Sequence, residues 1–208
     1  MSDGSTDAHG KHQVGRTESL PAAPFDFEAA NREYARENQA RPGDLTRRRS
    51  QTAIITCVDS RCSPEHFFQL PENETICLRN GGGRTADMGT LRSLTLIQLT
   101  SELKEVMVIH HKNCGALFYT EEWVREQIAK SVTNDSQDHY PLVAPAWVNS
   151  VPWLGFNVRK GETERERLER SVQEDVVFLR NHPLLKPTVR VTGWYYNLST
   201  GIVELVEC

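Results

Sequence analysis

Two short segments carry the residue types from which a reactive centre can be built, Cys57-Val58-Asp59-Ser60-Arg61 and, further along the chain, His111-Lys112-Asn113-Cys114. Two thiols and one imidazole make a three-ligand tetrahedral set that suits zinc and leaves the fourth position for water, the pattern of catalytic rather than structural zinc. Beside them stand a carboxylate, Asp59, and a guanidinium, Arg61, which can grip it through two parallel hydrogen bonds. Taken singly, each half is weak, because cysteine is often a small buried hydrophobe and a lone H-x-x-C arises by chance. The conjunction of the two points to a site.

Such residues converge only if the fold brings their segments together, and the surrounding pattern supplies the elements. Short runs rich in Val, Ile and Thr predict strands over 52–58, 75–79 and 105–110. Between the second and third, Met88, Leu91, Leu94, Leu96, Ile97, Leu99 and Leu103 form a wide apolar stripe that predicts a helix over 87–103 buried against a sheet. Strand, helix, strand implies a parallel crossover. A later helix is announced by Thr163 as N-cap with Glu164 and Glu166 in its first turn, then Leu168, Val172, Val176 and Leu179 on one face, ending near His182-Pro183. Segments 188–196 and 202–206, around a Ser199-Thr200-Gly201 turn, predict a terminal hairpin. The expected class is therefore α/β, a mostly parallel central sheet flanked by helices. In such sheets ligands gather at the carboxyl ends of the strands, where both reactive segments fall.

The remaining sequence bounds the organisation. With 208 residues the chain is long enough for one α/β domain with a substantial core, over 25–208. Residues 1–24, rich in Ser, Gly, Thr and Asp, read as a disordered tail, and Phe25, Phe27, Ala30, Tyr34 and Ala35 as a short amphipathic helical arm over 26–38. A net charge of -4 excludes the long-range field that would gather nucleic acid or an anionic membrane, and the Arg47-Arg48-Arg49 cluster reads as a solvated edge. No stretch approaches the roughly 20 apolar residues of a membrane span. The five cysteines are an odd set without the density of a disulfide scaffold, and no signal segment opens the chain, so a reducing, cytoplasmic setting is expected.

The pair C-x-D-S-R and H-x-x-C resembles the β-class carbonic anhydrases. Arg79-Asn80-Gly81-Gly82 is similar to that family's R-N-A-G loop, with Gly81 in place of Ala, and Val172-Gln173-Glu174-Asp175-Val176 is similar to its later helix. The resemblance implies that Cys57, His111 and Cys114 bind one Zn²⁺, that Asp59 and Arg61 form the family's catalytic dyad, and that the chain is a homodimer or homotetramer. It implies attack of zinc hydroxide on a small linear heterocumulene, with CO2 hydration to bicarbonate as the parent activity and hydrolysis of carbonyl sulfide (COS) or carbon disulfide among relatives. Chemistry gives each dyad residue a distinct role. Asp59 can accept a hydrogen bond from the nucleophile and aim it, and Arg61 can hold Asp59 off the metal.

Substrate choice within the family is open at this level. Where plant-type members carry a Gln nine residues before the first zinc Cys, Arg48 stands here and Gln51 falls only six before Cys57. Fewer polar donors suit a more apolar substrate such as carbonyl sulfide. Trp123, Tyr140, Trp147, Trp153 and Phe156 could wall a gas pocket or pack an interface. Gly81 and Gly82 are weaker candidates for the pocket. His110 is expected in the core behind His111, and His66 is either a proton relay or simply exposed. From a different class, a structural zinc or thiol module would need a fourth ligand, for which Cys62 is the nearest candidate.

Overall fold

The computed structural model describes residues 25–38, 51–71, 74–133, 159 and 161–208. The expected tail, the 47–49 cluster, and Tyr140, Trp147, Trp153 and Phe156 lie outside them. The chain divides into two units, Met1–Leu45 and Thr46–Cys208. In the first, helix α1 (Phe27–Asn38) falls where the apolar spacing predicts it, with Asp26 Oδ1 accepting from the Ala29 N–H at 2.8 Å to cap its start.

In the second unit the elements run β1 (Thr52–Cys57), α2 (Pro64–Phe67), β2 (Ile76–Asn80), α3 (Met88–Thr100), β3 (Glu105–His111), α4 (Glu121–Thr133), α5 (Glu164–Arg180), β4 (Arg190–Asn197) and β5 (Ile202–Val206). They form one sheet in the order β2-β1-β3-β4-β5. Every pairing is parallel except β4 with β5, the expected terminal hairpin. β1 is buried along nearly its whole length, as a strand covered on both faces must be. Ala53, Ile55 and Cys57 join Leu91, Leu94 and Ile97 of α3 and Leu168, Val172, Val176 and Leu179 of α5 in the larger core. The alternate residue Ile54 joins Cys62, Ile109 and Tyr196 in a smaller core that Phe67 and Phe68 complete.

Local signals explain the helix ends. Asp87 caps α3 by accepting from the Thr90 N–H at 2.7 Å, and Thr163 with Glu166 forms a reciprocal capping box at α5. The stripe of α3 is narrower than its sequence suggests. Leu91, Leu94 and Ile97 are buried, while Met88, Leu96 and Leu99 face outward, because a helix laid on one sheet face can bury only about a third of its circumference. Strand ends shift too: β1 stops at Cys57, one residue early, and β3 runs on to His111. Among the described residues no helix is long and apolar enough to cross a membrane.

Candidate metal centre

The parallel register sets the site. β1 and β3 pair Thr56 with Ile109, so Cys57, the last residue of β1, falls level with His110, and His111 sits one step nearer the carboxyl edge. Beyond β3 the chain turns through Asn113, whose φ of +58° lies in the left-handed region that Asn tolerates better than most residues, and returns Cys114 toward Cys57. All three side chains are buried, and their donor atoms lie within 4.8 Å of one another.

Two observations show that these residues fit a metal ion. The Cys57 and Cys114 sulfurs are 3.8 Å apart, the separation expected for two sulfurs each about 2.3 Å from a tetrahedral ion. His111 Nδ1 faces the Lys112 carbonyl at 2.9 Å, and since a carbonyl only accepts, Nδ1 must carry the hydrogen. That leaves Nε2 as a buried lone pair with no hydrogen-bond partner among the described residues, a cost normally avoided unless a ligand takes the atom up. The Cys57 sulfur is electrostatically prepared as well. The hydrogen bond from Cys114, with further help from the Asp59 N–H at 3.5 Å, holds the Cys57 thiol well below its usual range against the opposing effect of burial. Sharing that hydrogen with Cys57 pushes Cys114 the other way.

Asp59 stands past the strand end, so a turn rather than strand alternation aims it. Arg61 donates through Nε to Oδ1 at 2.9 Å and through Nη2 to Oδ2 at 2.5 Å, and its backbone N–H also reaches Oδ1 at 2.9 Å. The guanidinium hydrogen bonds, more than the charge alone, bring the Asp59 carboxyl down to about 2. Arg61 Nη2 also lies 3.4 Å from the Asn113 carbonyl, linking the dyad to the other turn.

Sequence reasoning does not find two residues that hold these turns. Arg79 donates to three successive carbonyls, those of Cys57 at 3.1 Å, Val58 at 3.3 Å and Asp59 at 2.6 Å. Glu164, the first residue of α5, accepts the Asn113 N–H at 2.5 Å. The R-N-G-G pattern marks Arg79 without showing its targets, and nothing local to Glu164 signals its distant partner. A Cβ on Gly81 would meet nothing within 4 Å. Gly83, at φ +71°, presses on β1 so closely that a Cβ there would lie 2.9 Å from the Thr56 carbonyl carbon.

The remaining candidates separate cleanly. His110 is a buried core histidine bonded to Ser171 Oγ at 2.7 Å. Cys62 lies in the smaller core outside the donor group, and burial pushes its thiol up to about 12. Gln51 precedes β1, with its amide 3.5 Å from Glu102; a six-residue strand separates it from Cys57 by about 20 Å, too far to orient a substrate there. His66 is exposed on α2, and Trp123 is exposed and stacked on Tyr119 with ring centroids 4.3 Å apart.

A parallel α/β sheet with a Cys-His-Cys donor set and an Asp-Arg pair at its carboxyl edge defines a class of metal-dependent enzyme. Residues 52–203 match the family model for carbonic anhydrase, and the chain belongs to the β-carbonic anhydrase family. A carbon disulfide hydrolase from Acidianus sp. (strain A1-3) is 29% identical over 152 residues, which cover 71% of this chain and 72% of that protein. Among solved structures, a carbonic anhydrase from Glaciozyma antarctica is similar with a TM-score of 0.70 and 29% identity, covering 92% of this chain and 98% of the other. A carbonic anhydrase from Streptococcus mutans gives 0.67 and 28%, covering 86% and 94%.

Proposed function

We propose that this chain hydrates CO2 to bicarbonate, with one Zn²⁺ held by Cys57, His111 and Cys114. The observation that carries this reading is the bidentate Asp59–Arg61 pair standing beside a three-donor group, since a purely structural metal site has no use for an oriented carboxylate. Zinc bound there supplies a water acidified enough to attack at neutral pH, the purpose for which a protein keeps one coordination position free. The protein's own residues do the rest. Ionised Asp59 accepts a hydrogen bond from the incoming nucleophile and turns its lone pair toward the substrate carbon. Arg61 keeps Asp59 ionised and draws it away from the donor group, so that it does not become a fourth ligand. The Asp59 N–H, 3.5 Å from the Cys57 sulfur, stabilises its thiolate.

A second reading, hydrolysis of carbon disulfide or carbonyl sulfide, is favoured by the similarity to the Acidianus enzyme. The reaction uses the same residues on another linear substrate with two cumulated double bonds. The resemblance also suggests a homodimer or homotetramer, which light scattering would size. One assay separates the two activities: proton release from CO2 by stopped flow against sulfide release from both sulfur substrates by gas chromatography, on zinc-loaded protein with Asp59→Ala as control. Fast CO2 hydration with trace sulfide is the expected result. Sulfide release with a higher kcat/KM than CO2 hydration would replace the first reading with the second.

A further inference from the structure

Behind the donor group, among the apolar residues where α5 meets the sheet, lies a polar cluster that the proposed chemistry does not use. Asp175 of α5 is 1% exposed. Its Oδ1 accepts from Thr85 Oγ1 at 2.8 Å and from the Thr85 N–H at 3.3 Å. Its Oδ2 lies 2.9 Å from Arg84 Nε and 3.1 Å from His110 Nε2, without a well-aligned hydrogen bond to either. Thr85, Arg84, His110 and Ser171 are buried with it. A carboxylate in such a place is costly unless fully paired, and packed apolar residues are often at least as stabilising, so the cluster calls for a reason beyond packing.

The reason lies in what the cluster joins. His110 immediately precedes the donor His111, and its Nε2 also reaches the Gly83 carbonyl at 3.2 Å. Thr85 and Arg84 end the 81–85 segment, in which Gly83 presses on the Thr56–Cys57 backbone. One carboxylate thus ties the wall behind Cys57 to the strand end that presents His111. We propose that Asp175 is a positioning residue for the metal centre, fixing the 81–85 segment and the end of β3 in mutual register so that the three donors meet. This inference rests on the zinc assignment above.

The test uses the full chain, loaded with zinc or with cobalt(II), as wild type, Asp175→Asn and Thr85→Val. Outer partners of metal ligands typically alter metal affinity by about 10- to 100-fold, and Asp175→Asn should speed chelator-driven zinc release by a factor in that range. The cobalt(II) ligand-field bands should move or weaken, and the rise in Tm on metal loading should shrink. Thr85→Val, which removes the hydroxyl's contacts with Asp175 Oδ1 and with the Asp175 carbonyl and leaves Arg84 and His110 beside the carboxylate, should do the same to a smaller extent, and it carries the test if Asp175→Asn fails to fold. Unchanged release and cobalt bands, with Tm lowered equally in metal-free and loaded protein, would make the cluster a stability element and overturn the proposal. Wild-type chain that takes up no zinc would instead remove the metal assignment, and the positioning role with it.

Discussion

The two turns that build the centre are held in opposite ways. After β1, the turn from Cys57 to Arg61 is gripped by its carbonyls, three of which accept from Arg79. After β3, the turn from His111 to Cys114 is gripped by its N–H groups, which donate to the Tyr196 carbonyl at 2.9 Å and to Glu164. The second turn delivers two buried donors, His111 and Cys114, with Lys112 and Asn113 between them turned toward the surface. The first delivers one donor and then the Asp59–Arg61 pair, whose arginine side chain is half exposed. On the proposed function both turns hold the metal and only the first handles the substrate, with Arg61 joining them through its contact with the Asn113 carbonyl.

That division can be broken most severely at a shared donor. Cys57→Ser replaces the prepared thiolate with a poor ligand, and metal content measured by atomic absorption should fall from one per chain toward zero. Activity should fall with it by several kcal/mol of transition-state stabilisation, on the order of 10³-fold or more. Asp59→Asn tests the other half. Metal content should stay at wild-type level while kcat/KM drops by about 10²-fold, the usual worth of a positioned acid-base group. Loss of zinc in Asp59→Asn would mean that the dyad helps hold the metal and that the division is false.

A third prediction compares two neighbouring glycines. At Gly83 a Cβ would lie 2.9–3.0 Å from the backbone of Thr56 and Cys57, and φ is +71°. Gly83→Ala should therefore cost about 2 kcal/mol of stability by denaturant titration, from overpacking plus an unfavourable backbone conformation. Gly81→Ala, with open space around the added methyl, should stay within about 0.5 kcal/mol of wild type. Equal costs would show that the segment shifts freely and does not brace Cys57.

These glycines also mark where sequence reading stops. The donors, the dyad and the strand-helix alternation are legible because each rests on local spacing: C-x-D-S-R, H-x-x-C, and the buried face of α5 at Leu168, Val172, Val176 and Leu179. Asp175 stands within a recognisable motif, yet its burial and partners are not legible, because Arg84, Thr85 and His110 reach it from distant segments. Met88, Leu96 and Leu99 mislead for a related reason. Periodicity shows that a helix has an apolar side but not how much of that side the sheet can cover.

The smallest effect concerns the pair that joins the turns. Arg61 brings Asp59 from the ordinary 3.8 to about 2. A carboxyl with a lower pKa in the folded state stabilises the fold fully above its unfolded value and loses that contribution as pH falls through the folded one. The pair should therefore contribute at pH 5 and fade between about 4 and 2. Because Arg61 is half exposed, solvent screens the interaction, and its worth is nearer about 1 kcal/mol than a displacement of that size would imply. In metal-free chain, where zinc release makes no contribution, wild type minus Arg61→Gln should show a stability difference of about that size at pH 5 that closes toward pH 2. A difference undiminished between pH 5 and pH 2 would assign Arg61's stabilising role to its Asn113 contact rather than to the Asp59 carboxylate. The arginine would then tie the two turns together directly, and the separation between holding the metal and aiming the substrate would be less complete than the geometry of the dyad suggests.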